Sequence, residues 1–188
     1  MTKTNRAVFL DRDGTVVVHI SYARSPEQIH LLPGAAQAIC EFRRRGYLAV
    51  LVTNQSGVGR GHFTEADLQA QHHKLRADLA AGGAALDGIY HCPHLPAELL
   101  PPGQSPCDCR KPKPGMIRRA ASELNVDLSQ SYMIGDSAGD IQAGKAAGCG
   151  TGLVVGDRVS TDRPINDFGA DFVVHDLLDV LPHLDDAT

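Results

Sequence analysis

The sequence predicts an α/β protein built on a doubly wound, mainly parallel sheet of the Rossmann-like kind. Short apolar runs alternate with amphipathic stretches from Ala7 to Leu184, the pattern of strands linked by crossover helices. The strand-like runs are apolar on both faces, as Ala7-Val8-Phe9-Leu10 shows, and so read as buried parallel strands. Three of them end in small polar or acidic residues, where ligands bind in open α/β sheets. At 188 residues with no repeat or low-complexity tract, the chain reads as one domain, 1–188.

Asp11-Arg12-Asp13-Gly14-Thr15 follows the first strand. Side chains two apart on an extended chain point the same way, so Asp11 and Asp13 can face one site. Crowded carboxylates favour a cation between them, and a hard ion such as Mg²⁺ takes carboxylate and phosphate oxygens together. The plainer alternative is a strand end with two solvated acids in a turn.

Residues 16–32 are irregular and are expected to cross the face of the site. A helix is expected from Pro33 to about Arg45, with Ala36, Ile39, Cys40 and Phe42 buried and Gly46 ending it. The second strand, Tyr47–Val52, ends in Thr53-Asn54-Gln55-Ser56-Gly57. A hydroxyl, an amide and glycine-rich N–H groups suit phosphate oxygens, though a plain polar loop has the same composition. Thr64 and Asp67 form a capping box for a helix to about Ala81, on which His72 and His73 read as surface or packing residues.

A third strand, Leu86–His91, leads into Cys92-Pro93-His94, a proline-rich loop and Cys107-Asp108-Cys109. Three thiols and an imidazole in two close pairs form a Cys₃His set, so a zinc loop is expected at about 92–109. Redox thiols or incidental residues are the other readings. Zinc would stiffen a loop that lacks a core of its own. Arg110-Lys111 follows directly and is a phosphate-clamp candidate.

The next helix is expected from Pro114-Gly115 to about Leu124. A fourth strand, Ser131–Ile134, ends in Gly135-Asp136-Ser137, and Ser137 with Asp140 caps a helix to Ala147. Cys149 reads as packing. Strands at Gly152–Val155 and Asp171–Val174 and a helix from Asp176 to about Leu184 complete the chain.

Charge and composition narrow the function classes. The net charge is −4 with no basic run, which argues against nucleic acid and anionic membranes. No leader-like or membrane-spanning apolar stretch is present, so the protein is expected in the cytoplasm, with its five cysteines serving metal or core rather than disulfides.

Taken together, Asp11-Arg12-Asp13-Gly14-Thr15, Thr53-Asn54, Lys111 and Gly135-Asp136-Ser137-Ala138-Gly139-Asp140 resemble the motifs of the haloacid dehalogenase-like phosphatases, in order and across nearly the whole chain. The longer matches (Val-Thr-Asn-Gln-Ser-Gly, Cys-Pro-His, Cys-Asp-Cys-Arg-Lys-Pro) resemble the branch that holds D-glycero-D-manno-heptose 1,7-bisphosphate 7-phosphatases and histidinol-phosphate phosphatases. The resemblance implies Asp11 as the nucleophile that becomes an aspartyl-phosphate and Asp13 as acid and base. It implies Thr53 and Lys111 as stabilisers of the transferring phosphoryl group. Mg²⁺ would be held by Asp11, the Asp13 carbonyl and Asp136. Tyr22, Asn54, Gln55, Ser56 and Arg110 would meet the substrate, and Cys92, His94, Cys107 and Cys109 would hold Zn²⁺.

The expected function is therefore Mg²⁺-dependent removal of the 7-phosphate from a small phosphorylated sugar, serving lipopolysaccharide synthesis, by a monomer. A histidinol-phosphate phosphatase and a non-catalytic zinc-stabilised phospholigand-binding module are the alternatives. Ser137 stands where some heptose enzymes carry Lys, and Lys145 is the nearest substitute. The segments after Asp13 and Ser56 are too short for a separate cap domain.

Overall fold

The computed structural model describes residues 4–156 and 167–185. Its centre is a six-stranded sheet in which every pairing is parallel. The strands are β1 (Arg6–Leu10), β2 (Tyr47–Asn54), β3 (Gly88–Cys92), β4 (Tyr132–Gly135), β5 (Gly150–Val154) and β6 (Phe172–Val174). Their spatial order is β3-β2-β1-β4-β5-β6. The winding direction reverses between β1 and β4, which opens a crevice at their carboxyl ends.

Among the described residues the connecting α-helices are α1 (Ala35–Arg44), the single turn α2 (Ser56–Gly59), α3 (Glu65–Ala81), α4 (Gly115–Leu124) and α5 (Ala138–Ala147). Period-2 alternation along the strands divides the core. Val8, Leu10, Ala49 and Leu51 face α1 and α3, meeting Ile39, Phe42, Leu75 and Leu79. Ala7, Phe9, Val50 and Val52 face the other way, toward Met116, Ile117 and Ala120 of α4 and Ala143 of α5. Each large side chain so buried contributes about 1.5–3 kcal/mol. A strand buried on both faces is largely apolar, which is why Ala7–Leu10 of β1 and Tyr47–Val52 of β2 read as apolar runs.

Local signals place the helices well. Thr64 Oγ1 accepts from the Asp67 N–H at 3.1 Å, and the Asp67 carboxylate accepts from the Thr64 N–H at 2.8 Å. Ser137 and Asp140 repeat the box at α5. Cys149 is buried as expected, and Cys40 is half-buried against the α1 side of the core. Of the two adjacent histidines on α3, His72 is buried and His73 is exposed.

Two expectations are corrected. The last element is a 3-10 helix, Leu178–His183, rather than an α-helix from Asp176, because in an α-helix the Pro182 ring would clash with the carbonyl four residues back, at Leu178. The turn α2 lay hidden in a stretch that reads as loop. Residues 11–34 carry isolated bridges and one 3-10 turn (Pro26–Gln28), and they form a wall over the crevice. Among the described residues no helix is long and apolar enough to cross a membrane.

Candidate active site

The crevice holds a cleft of about 310 Å³ lined by Asp11, Asp13, Thr53, Lys111, Asp136 and Asp140, with Tyr22, Gln55 and Ser56 also on its walls. That volume suits a small, polar ligand. Asp11, Asp13, Thr53 and Asp136 arrive from strand ends, Lys111 from the loop before α4 and Asp140 from the first turn of α5. Asp11 leaves β1 with its N–H bonded to the Ile134 carbonyl of β4 at 3.0 Å. Thr53 and Asn54 close β2, and Asp136 follows β4.

Lys111 occupies the middle. Its Nζ reaches Asp11 Oδ1 at 2.7 Å, Asp140 Oδ1 at 2.6 Å and the Val52 carbonyl at 2.7 Å. The contacts to Asp11 and Val52 are hydrogen bonds, and the one to Asp140 is an ion pair. Burial alone would lower the Lys111 pKa, but Asp11 and Asp140 outweigh it and hold the group well above its usual value. Burial pushes Asp11 up to about 7, with Asp140 and Asp13 adding to the rise and Lys111 opposing it. A cation beside Asp11 would reverse that rise.

The donor set fits such a cation. Carboxylate oxygens of Asp11, Asp136 and Asp140 lie within 4.8 Å of one another, an all-oxygen arrangement of the type hard divalent ions take. Asp11 and Asp140 both also pair with Lys111, so the ammonium and a metal would share this carboxylate cluster.

Two of the side chains expected on the ligand, Asn54 and Gln55, also hold other site residues. Asn54 donates from Nδ2 to the Lys111 carbonyl at 3.0 Å and accepts the Lys111 N–H at 3.1 Å. Both ends of its amide thus fix the backbone that carries the ammonium. Gln55, 5% exposed, donates to Asp13 Oδ2 at 2.8 Å and to Thr53 Oγ1 at 2.9 Å. Tyr22, at φ 53°, is partly exposed, with its ring edge-on to His62 at 4.6 Å between centroids. Arg110 is half-buried with Nη1 3.5 Å from the His94 carbonyl and is not among the cleft-lining residues. Lys145 bonds the Gly169 carbonyl, so it does not stand in for a lysine at position 137.

The four expected zinc ligands converge. Cys109 Sγ lies 3.1 Å from Cys92 Sγ and 3.2 Å from His94 Nδ1, and Cys92 Sγ lies 3.6 Å from Cys107 Sγ. Edges of a zinc tetrahedron are roughly 3.5–3.8 Å, so the cluster is the right size and slightly tight. All three thiols are free rather than disulfide-bonded. The loop folds over the start of α4, where a Cβ on Gly115 would stand 2.2 Å from the Asp108 carbonyl oxygen. The cluster therefore ends two residues before Lys111.

Two participants escaped the sequence reading. Asp140 was legible as a helix cap, and its Oδ2 does accept from Ser137, but its other oxygen pairs with Lys111. Arg12 sits beside Asp13 and forks onto its carboxylate through Nε at 3.0 Å and Nη2 at 3.1 Å. The buried Lys–Asp pair at 2.6 Å was invisible because it joins segments far apart in sequence.

Strand-tip carboxylates at the switch point of a parallel sheet, with a buried lysine between them, define a phosphoryl-handling α/β hydrolase. The chain belongs to the haloacid dehalogenase-like phosphatase family. A HAD-hydrolase-like family model matches residues 108–180. The chain is 42% identical over 183 residues to the D-glycero-β-D-manno-heptose-1,7-bisphosphate 7-phosphatase of Yersinia pestis, covering 96% of this chain and 95% of that one. It is 40% identical to the Escherichia coli K12 protein of the same name, covering 96% and 94%. Among solved structures it resembles the D,D-heptose 1,7-bisphosphate phosphatase of B. bronchiseptica in complex with magnesium and phosphate (TM-score 0.79, 37% identity, 95% and 97% coverage). It also resembles that of Burkholderia thailandensis (TM-score 0.65, 31% identity, 94% and 99% coverage).

Proposed function

We propose that this phosphatase removes the 7-phosphate of D-glycero-β-D-manno-heptose 1,7-bisphosphate through an aspartyl-phosphate on Asp11. The observation that carries the reading is the ammonium of Lys111 held 2.7 Å from Asp11 Oδ1 at the floor of a small polar cleft. The β anomer follows the name shared by the curated relatives.

In the first half-reaction the free oxygen of Asp11 attacks phosphorus. The bond from phosphorus to the sugar oxygen breaks, and that oxygen takes a proton from the Asp13 carboxyl. In the second, Asp13 removes a proton from water as the water oxygen attacks phosphorus, releasing inorganic phosphate and free Asp11. Lys111 and the Thr53 hydroxyl stabilise the charge on the transferring group. Asp11, the Asp13 backbone carbonyl and Asp136 would hold Mg²⁺, which supplies further neutralisation of the phosphoryl oxygens. Asn54 and Gln55 keep Lys111 and Asp13 in register, while Tyr22, Ser56 and Arg110 meet the sugar and its second phosphate. Zn²⁺ on Cys92, His94, Cys107 and Cys109 makes the loop leading to Lys111 rigid. The reaction serves lipopolysaccharide precursor synthesis in the cytoplasm, carried out by a monomeric single-domain chain.

The test is phosphate release with Mg²⁺ from both anomers of heptose 1,7-bisphosphate and from histidinol phosphate. Preference for the β-heptose, with only the 7-phosphate lost, is expected. Better turnover of histidinol phosphate would overturn the substrate assignment and leave the chemistry in place.

A further inference from the structure

We propose that Arg12 and Gln71 are positioning residues for Asp13, and that Gln71 ties the aim of this carboxylate to the wall of the cleft. The inference rests on the acid–base reading of Asp13 above. Its observations are geometric. Arg12 is 2% exposed and Gln71 is 0% exposed. Arg12 engages Asp13 bidentately, through Nε to Oδ2 at 3.0 Å and Nη2 to Oδ1 at 3.1 Å. Its remaining Nη1 donates to Gln71 Oε1 at 3.1 Å. The other end of that amide, Nε2, donates to the Ala23 carbonyl at 2.9 Å.

This chain of contacts is not an accident of strand geometry. Adjacent side chains on an extended strand point to opposite faces, so Arg12 would face away from Asp13. Here the backbone turns at once after β1. The Arg12 carbonyl accepts from both Val16 and Val17, at 3.0 and 2.9 Å, and Gly14 takes φ 83°. The turn folds the guanidinium back onto its neighbour. Gln71 sits on the buried face of α3 among Leu68, His72 and Leu75, where an amide is costly unless both ends are paired. Both ends are paired, one to Arg12 and one to Ala23.

Ala23 lines the cleft next to Tyr22, and Gln71 and Arg12 link it to Asp13. A planar fork fixes both the distance and the plane of a carboxylate, which an ammonium cannot do. Proton transfer to the leaving oxygen demands such aim. Gln55 donates to the same Asp13 Oδ2 that accepts from Arg12 Nε, at 2.8 Å. Between these two grips the carboxylate has one orientation.

The experiment compares a sugar phosphate, whose leaving oxygen needs a proton, with p-nitrophenyl phosphate, whose nitrophenolate leaves without one. Arg12→Lys, Gln71→Met and the reference Asp13→Asn are measured with Mg²⁺ by steady-state turnover and by the first-turnover burst of nitrophenolate. Arg12→Lys and Gln71→Met are expected to lower kcat on heptose bisphosphate by about 30–300-fold with KM moved little, inside the range general acid–base catalysis supplies. The nitrophenolate burst should stay within about threefold of wild type, since that step needs no acid. Equal slowing of both substrates by Arg12→Lys and Gln71→Met, with Asp13→Asn selective, would overturn the positioning role. An Asp13→Asn variant that turns over the sugar phosphate normally would instead sink the acid–base reading beneath it. Arg12→Lys keeps the charge and decides the matter alone if Gln71→Met does not fold.

Discussion

The Nζ of Lys111 lies 2.7 Å from Oδ1 of Asp11 across a sequence separation of 100 residues. The sheet order makes this contact possible, because β1 stands beside β2 and the loop after β3 returns over both. Asp140 completes a buried Asp–Lys–Asp triad with a contact of 2.6 Å. One cation between two carboxylates leaves net negative charge that only a further cation or a titrating proton can balance.

Replacing Lys111 by Met removes that cation and leaves two carboxylates facing each other out of water. Breaking a buried pair in this way costs about 3–5 kcal/mol. Phosphate release should fall by about 10²–10³-fold or more, the scale for losing one donor to the reacting charge. Urea unfolding and a phosphate assay read the two effects separately. A variant that keeps wild-type turnover would remove Lys111 from the site.

Gly135→Ala tests the support under Asp140. The added Cβ would stand 2.3 Å from Asp140 Cγ, so the Asp140 side chain or the backbone beside it must shift, disturbing its contact with Lys111. The expected cost is about 1–3 kcal/mol, with a loss of turnover that exceeds it. Gly139→Ala is the control, since its Cβ would meet Ser137 Oγ at an ordinary 3.7 Å. Thermal melting and kcat should separate the two variants clearly.

Cys109→Ser should empty the Cys₃His cluster. Metal analysis of the chelator-washed protein should find about one zinc per chain in the wild type and almost none in the variant. Turnover should fall as well, because Cys109 is two positions from Lys111 and the loop it anchors packs on the start of α4. Cys40→Ser, outside the cluster, should keep both zinc and activity.

His72 supplies a pH prediction. Burial, with Arg12 next, pushes its pKa down to about 3 from 6.5. The unfolded chain therefore binds a proton that the folded protein refuses. Stability is complete above the unfolded pKa and falls as pH drops through 6.5 toward 3. His72→Gln should flatten the urea midpoint between pH 7 and pH 4. An unchanged slope would show that the imidazole protonates in place.

Much of this protein is legible from short stretches. The capping boxes at Thr64 and Ser137 are made within three residues, so composition alone reveals them. The long apolar stretches of β1 and β2 announce themselves because strands covered on both faces are largely apolar. The Cys-Pro-His and Cys-Asp-Cys pairs declare their chemistry by ligand type. The 3-10 ending at Leu178–His183 was less legible, since apolar spacing does not distinguish it from an α-helix over so few residues.

Residue types and local order were thus determined by the sequence itself: which side chains carry charge, where strands end, and which thiols lie close. Only the tertiary structure decided what each one touches. Asn54 clamps the Lys111 backbone, Gln55 and Arg12 both grip Asp13, and Asp140 is counter-ion as well as helix cap. The physical reason is range. Capping and periodicity are settled within a turn or a pleat, whereas an ion pair between buried groups exists only once the order of the strands has brought distant segments together and excluded water around them.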